Sequence, residues 1–356
     1  MLRLDFYESG IGETTIITFP EGGIGIVDAH PSPTSSRSSI SELTCGKTIH
    51  FACLTHPHAD HGRDLVEVVK NAKPAVLWHT IPNFKEFIYR AFETQQFFPS
   101  PNREFVEKYH REWAEIFADI FGTAQERGIS RRQLRADVQP ETIDGVEVHF
   151  LSPEEAITQT AIEKYAKEIQ KAEPSGGDPN LLSAIIALRY GDSVVLLGAD
   201  ALKRNWETAT QRFWKVKLPK AILLKVPHHG ASNALDLRKD ASHHGYLDIC
   251  SGTPRAFSVI FGGDSKHPEK RVYERLCQRT NPACLSNGLR TSHAGIALGS
   301  RMPGARRVTS AAVCHPVLSF EIGRHADLHQ IAGGDCSNCP NTPWPNRDEC
   351  AVDFNK

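Results

Sequence analysis

Three imidazoles and a carboxylate fall within six residues: His56, His58, Asp60 and His61 in the run Thr-His-Pro-His-Ala-Asp-His-Gly. With seventeen histidines in 356 residues, the pattern His-x-His-x-Asp-His arises by chance about 0.002 times in such a chain. A polar surface loop does not explain that density. Two imidazoles at i and i+2 of an extended segment project to the same side and can hold one cation, while the adjacent Asp and His turn toward a second one. Two further runs end in matching chemistry. Ser-Val-Val-Leu-Leu-Gly-Ala-Asp delivers Asp200, where a carboxylate can bridge two cations, and Leu-Leu-Lys-Val-Pro-His-His-Gly delivers His228 and His229. Singly these are ordinary, because Asp at a strand end is a common turn residue and a His pair is common polar surface. Together they point to a centre of two divalent ions with nitrogen and oxygen ligands, which suits Zn²⁺ first and Mn²⁺ or Fe second. Such a pair lowers the pKa of water towards neutrality and stabilises negative charge developing at an attacked centre.

The elements that must position these residues are strands ending in loops. Thr14–Thr18 and Ile24–Val27 are β-branched runs on either side of a Pro-Glu-Gly-Gly turn, and the second ends at Asp28. Asp28 at that strand tip is placed to hydrogen-bond a ligand imidazole rather than to touch metal. Ile49–Leu54 is compact, apolar and without helical period, so it predicts a buried strand running straight into the histidine cluster. A helix over 64–71 and a strand over 75–78 complete a β-loop-α-β unit. Further strands are expected at 146–151, across the Gly191-Asp192 hairpin turn, at 222–226 and at 257–261. Residues 83–136 place aromatics at helical spacings around Pro99 and Pro101, which predicts two amphipathic helices inserted into the β framework. That insertion is an extra packing layer or a cap beside the site. The basic run Arg131, Arg132 and Arg135 reads as a solvated face before a phosphate clamp.

Five ordered blocks now identify a likeness: YESGIGETTIITFPEGGIGIVDAH, LTHPHADHG, NLLSAIIALRYGDSVVLLGAD, KVPHHGAS and SVIFGGDSKHPEKRVYERL. The chain resembles the metallo-β-lactamase fold hydrolases, and most of all the stand-alone relatives of the hydrolase domain of the competence protein ComEC. The resemblance implies an α/β fold, an αββα sandwich with a helical insertion, over residues 1–300. It implies that His56 and His58 bind one metal, that Asp60 and His61 bind the other, that Asp200 bridges, and that His228 completes the second metal's shell. His229 is then an outer ligand or a substrate contact. In place of the family's third motif, a Gly-His-Thr type loop, the chain has His-Phe-Leu-Ser-Pro-Glu-Glu, which leaves the first site to be completed by water, His149 or Asn180. Asp60 would also orient the attacking water. His267 is either the proton donor to the leaving group or a surface residue at a helix start, and Lys266 is placed for a phosphate. The reaction implied is phosphodiester hydrolysis on a nucleic acid or a nucleotide-like small molecule. The alternatives are ester, lactone or amide hydrolysis at the same centre, and an effector gated by a protein that docks on the insertion or the tail.

Composition narrows the setting. Lys plus Arg number 41 against 42 for Asp plus Glu, so no overall basic footprint favours a long duplex or an anionic membrane. No stretch approaches the ~18 uninterrupted apolar residues of a spanning helix, and Met1–Tyr7 lacks the apolar core of a signal peptide. A cytoplasmic protein without membrane contact is the expectation. Nine cysteines, an odd number, argue for mostly reduced thiols. Residues 301–356 read as an irregular extension, in which Cys336, Cys339 and Cys350 with His325 or His329 make either a structural zinc site or a set of free thiols.

Overall fold

The apolar runs without helical period become strands buried on both faces. The computed structural model describes residues 1–7, 12–31, 39–81, 103–161, 179–237, 245–250, 256–261, 267–284, 317–324 and 328–332. Its strands are β1 (Leu2–Tyr7), β2 (Thr15–Thr18), β3 (Ile24–Val27), β4 (Ile49–Leu54), β5 (Val76–His79), β6 (Ser130–Gln133), β7 (Glu141–Ile143), β8 (Val146–Ser152), β9 (Ile185–Tyr190), β10 (Ser193–Leu197), β11 (Leu223–Lys225), β12 (Phe257–Ile260), β13 (Asn281–Cys284), β14 (Val317–Ile322) and β15 (Leu328–Ala332). The described helices are α1 (Ile40–Thr44), α2 (Ala59–Gly62), α3 (Leu65–Glu67), α4 (Arg103–Glu126), α5 (Lys203–Lys215), α6 (Tyr246–Cys250) and α7 (Lys270–Arg279).

One sheet has the order β15-β14-β1-β2-β3-β4-β5-β6 and the other β13-β12-β11-β10-β9-β8-β7. Each is antiparallel over its early strands and parallel from β3 to β6 or from β10 to β13. Strand alternation then sorts the core into three layers. Leu4, Phe6, Phe51 and Trp78 from the first sheet meet Val148, Phe150, Val195, Leu197 and Leu223 from the second. On the outer face of the second sheet, Val194, Leu196 and Leu224 pack on Trp206, Ala209 and Phe213 of α5 and on Tyr246 and Leu276. On the outer face of the first, Ile24, Ile26, Ala52 and Leu54 pack on Val68, Phe117, Ile120, Phe121 and Ala124. The four α4 residues recur at i, i+3, i+4 and i+7, a single helical stripe. Helix, sheet, sheet, helix is the layer order.

Two expectations need correction. The helical insertion does not run to residue 136: Gly128 takes φ +65 just beyond the end of α4, and Ser130–Gln133 pairs parallel with β5 as an edge strand. Its Ser-Arg-Arg-Gln composition conceals it, because an edge strand exposed on one side needs few apolar residues. Arg132 pairs with Glu141, and Arg135 with Asp137 and Glu155, so neither is committed to a phosphate. The other helix expected in the insertion lies outside the described residues. Nor is the chain beyond 300 irregular throughout, since β14 pairs along the whole of β1 and buries Phe320 and Ile322 between the sheets. The signal was the alternation in Val-Leu-Ser-Phe-Glu-Ile. Cys53 and Cys250 are buried free thiols and Cys45 an exposed one, whereas Cys277 on α7 is in a disulfide. Cys336, Cys339, Cys350, His325 and Lys266 lie outside the described residues. No described helix is long and apolar enough to cross a membrane.

Candidate metal centre

The loops after β4, β10 and β11 meet at one end of the sandwich, at the carboxyl ends of the parallel strands. The β4 loop carries His56, His58, Asp60 and His61, the β10 loop Asp200, and the β11 loop His228 and His229. A fourth contribution comes from the start of β2, which runs antiparallel to β3 and so begins where β3 ends. That geometry brings Glu13 beside the histidine loop, where its amide donates to the Asp60 carbonyl at 3.3 Å. Gly12 is required for this approach: a Cβ there would stand 2.4 Å from the Asp60 carbonyl oxygen.

Two overlapping donor groups result. Glu13, His61, Asp200 and His229 form one, His56, His58 and Asp200 the other, and within each group the donor atoms lie within 4.8 Å of one another. Asp200 belongs to both. Its Oδ2 stands 3.9 Å from His56, 3.7 Å from His61, 4.0 Å from His228 and 3.9 Å from His229. His61 Nε2, Asp200 Oδ1 and His229 Nδ1 are buried with no hydrogen-bond partner. Orphaned lone-pair donors converging in a dry site fit a cation, because burying them otherwise is costly.

The far side of His61 is fixed. Asp28 accepts from its Nδ1 at 2.8 Å and from the Thr55 amide at 2.9 Å and hydroxyl at 2.7 Å. That orients Nε2 into the cluster, the usual outer partner of a ligand histidine. Backbone strain concentrates here too. Asp28, Ala199, His228 and His229 all take left-handed φ between 43° and 53°, a conformation that costs non-glycine residues and persists where the surroundings enforce it. Part of the enforcement is Gly230, at φ +79, where a Cβ would stand 2.6 Å from the Pro268 Cβ.

Electrostatics follow the burial. Burial pulls His56 well below the ordinary imidazole range, helped by His61 and His58. Burial likewise takes His229 down to about 4 against the pull of Asp200. His61 goes the other way, as Asp28, Asp200 and Asp60 together outweigh its burial and hold it well above the usual range. Burial alone would raise Asp200, but His229, His61 and His56 hold its carboxyl well down. Burial pushes Glu13 up, with the Lys225 ammonium opposing.

The site is that of an αββα sandwich with its donors on strand-end loops. The fold is of the metallo-β-lactamase type. No protein-family model and no curated protein matches the chain. Among solved structures, the CmlA β-hydroxylase E377D mutant is 12% identical with TM-score 0.43, over 80% of this chain and 52% of its own. Igni18, a metallo hydrolase of Ignicoccus hospitalis, is 10% identical with TM-score 0.40, over 80% and 95%. The long-form RNase Z of yeast is 8% identical with TM-score 0.40, over 93% and 50%. The chain thus spans about half the length of the first and last of these.

The structure sorts the sequence candidates. His56, His58, His61 and Asp200 come together, and His229 joins the donor group of His61 and Asp200, whereas His228 belongs to neither group although its Nε2 stands 4.0 Å from Asp200 Oδ2. His228, 21% exposed, has Nδ1 2.9 Å from Asn233 Oδ1, Nε2 3.4 Å from Asn180 Nδ2, and its ring stacked on His267 at 6.2 Å and 15°. Asp60 lies at the margin, 28% exposed and 3.9 Å from His61 Nε2. His149 bonds Glu147 at 2.9 Å and belongs to neither donor group. Sequence reasoning missed Glu13 and Lys225. The signals were an acid in Gly-Ile-Gly-Glu just before a β-branched run, and a lysine inside the apolar strand that leads to the His pair.

Proposed function

We propose that the protein is a metal-dependent hydrolase acting on phosphodiesters. The observation that carries the reading is the pair of buried donor groups sharing Asp200. In this reading His56, His58 and Asp200 hold one divalent ion and Glu13, His61, Asp200 and His229 the other. Zn²⁺ or Mn²⁺ there supplies Lewis acidity, activating water and neutralising phosphoryl oxygens. Asp28 fixes the face that His61 presents, and Asp60 at the margin orients the attacking water. The phosphodiester choice is supported by the polar side chains of His228, Asn180, Asn233 and His267, which offer donors to charged oxygens. In this reading His267, whose ring stacks on that of His228, gives the leaving oxygen its proton. The ComEC-type likeness rests on the sequence blocks and points the same way.

The test is metal content of the purified protein with turnover of bis-p-nitrophenyl phosphate and of single- and double-stranded oligonucleotides, comparing wild type with Asp200→Asn. Bound metal with turnover lost in the variant is the expected result, and oligonucleotide cleavage would make the substrate a nucleic acid. Turnover of carboxylic esters or lactones with none of phosphodiesters would overturn the substrate assignment. Failure of the folded protein to bind any divalent metal would overturn the reading altogether.

A further inference from the structure

The deeper donor group contains a charge that a metal centre does not require. Lys225 is 2% exposed, and strand alternation explains why: it lies on the same face of β11 as Leu223, between the two sheets. Its ammonium donates to the Ala199 carbonyl at 2.7 Å, contacts the Glu13 carboxylate, and lies 5.6 Å from the centre of the Phe261 ring. It also stands 4.0 Å from Asp200 Oδ1. The two oxygens of Asp200 are thus divided. Oδ2 faces all four imidazoles, His56, His61, His228 and His229, while Oδ1 faces the ammonium. A carboxylate that bridges two metals commonly gives one oxygen to each; here a fixed cation lies beside the second oxygen and holds Glu13 as well.

We propose that Lys225 is an internal cation that ranks the two donor groups, making Glu13–His61–Asp200–His229 the weak, exchangeable metal site and His56–His58–Asp200 the one that fills first. By donor count alone the order would be the reverse, since the weak site has four buried ligands and the tight one three. The reason for the inversion is Coulombic. A divalent ion in the four-donor site shares both its carboxylates with a positive charge held a few ångströms away in a medium that screens poorly, and Lys225 is itself buried at 2% exposure. The tight site draws on His56, His58 and Asp200 Oδ2, the oxygen that does not face the ammonium. This inference rests on the metal-binding reading above and concerns only how the ions are held.

The experiment titrates metal-free wild type, Lys225→Met and Glu13→Gln with Zn²⁺ against a chromophoric chelator, with thermal unfolding of each followed in parallel. Wild type is expected to bind one equivalent about a hundredfold more tightly than the second. In Lys225→Met the second equivalent tightens by about tenfold or more while the first barely moves, and Glu13→Gln loses the second and keeps the first. Two equally tight equivalents in wild type would overturn the proposal, as would a weakened second equivalent in a folded Lys225→Met, which would make Lys225 a prop for Glu13. Where Lys225→Met does not fold, Lys225→Gln, which keeps a polar group and removes the charge, takes its place. Absence of any Zn²⁺ binding by folded wild type overturns the hydrolase reading itself, an outcome distinct from two equal sites.

Discussion

Replacing Asp28 by Asn tests how the centre is held, because the change keeps the shape and removes the charge. Asn tolerates left-handed backbone about as well as Asp, so the φ of +53 adds no penalty of its own. The three donors do. The Thr55 amide, the Thr55 hydroxyl and His61 Nδ1 all end on this carboxylate, at 2.9, 2.7 and 2.8 Å, and Asp28 is 1% exposed. An amide oxygen cannot serve all three, and its NH₂ faces a donor. One unsatisfied buried donor at about 1–3 kcal/mol plus a lost charge-assisted bond gives a loss near 3 kcal/mol for the metal-free protein. For a chain of this size that lowers Tm by about 4 °C. The loss has a pH signature. Asp28 is the chief carboxylate holding His61 above the ordinary imidazole range. A raised folded pKa contributes stability fully present below the unfolded value of about 6.5 and lost as pH rises through the folded value. The gap between wild type and Asp28→Asn should therefore be widest below pH 6.5 and shrink above it. Urea unfolding of the metal-free proteins from pH 5.5 to 9 measures this directly. A gap under about 0.5 kcal/mol, or one that does not change with pH, would refute the reasoning.

Four further outcomes follow from the same geometry. His56→Ala should abolish binding of the tight metal equivalent, whereas His228→Ala should retain both equivalents and lose turnover; equal metal loss in the two would return His228 to the ligand shell. Gly230→Ala forces a Cβ to 2.6 Å from Pro268 at φ +79 and should cost about 2 kcal/mol in chemical denaturation, with metal binding weakened through the His229 loop. Phe320→Ala removes a fully buried ring packed edge-on against Phe6 and Phe257 and should destabilise by about 4 kcal/mol; a change below 1 kcal/mol would mean that β14 is dispensable. Burial holds His79 down to about 4, so its neutral form adds stability above pH 6.5 that is lost as pH falls towards 4. Metal-free His79→Leu should accordingly lose about 3 kcal/mol less than wild type between pH 7 and pH 4, as read from denaturant midpoints.

What could be read beforehand was whatever lies contiguous in the chain. His56, His58 and His61 share one loop, and the apolar runs before them and before Asp200 had to be strands, so the cluster was legible without any knowledge of pairing. Glu13 was not, because only the antiparallel return of β2 against β3 and the close approach at Gly12 carry it to the histidine loop. Lys225 was hidden by its own strand, where a charge between Leu224 and Val226 has no meaning until Glu13 arrives opposite. The choice between His228 and His229 was likewise undecidable, since both take left-handed φ and the ordinary alternation of side chains fails there. The strand at Ser130–Gln133 and the strand at Val317–Ile322 were missed for opposite reasons: the first is too polar to announce itself, and the second follows a stretch whose irregular look was extended too far.

The pairing of β1 with β14 sets Leu2 opposite Ile322 and Tyr7 opposite Val317. Strand β1 is therefore made long before its partner, and until β14 follows it presents an open hydrogen-bonding edge beside Leu4 and Phe6, whose core partners Phe320 and Ile322 have not been synthesised. Closing a loop of that length adds little thermodynamic penalty but much delay, because the search for so distant a partner sets the pace. A nascent chain held short of residue 317 leaves that edge of β1 open to pairing with a stranger.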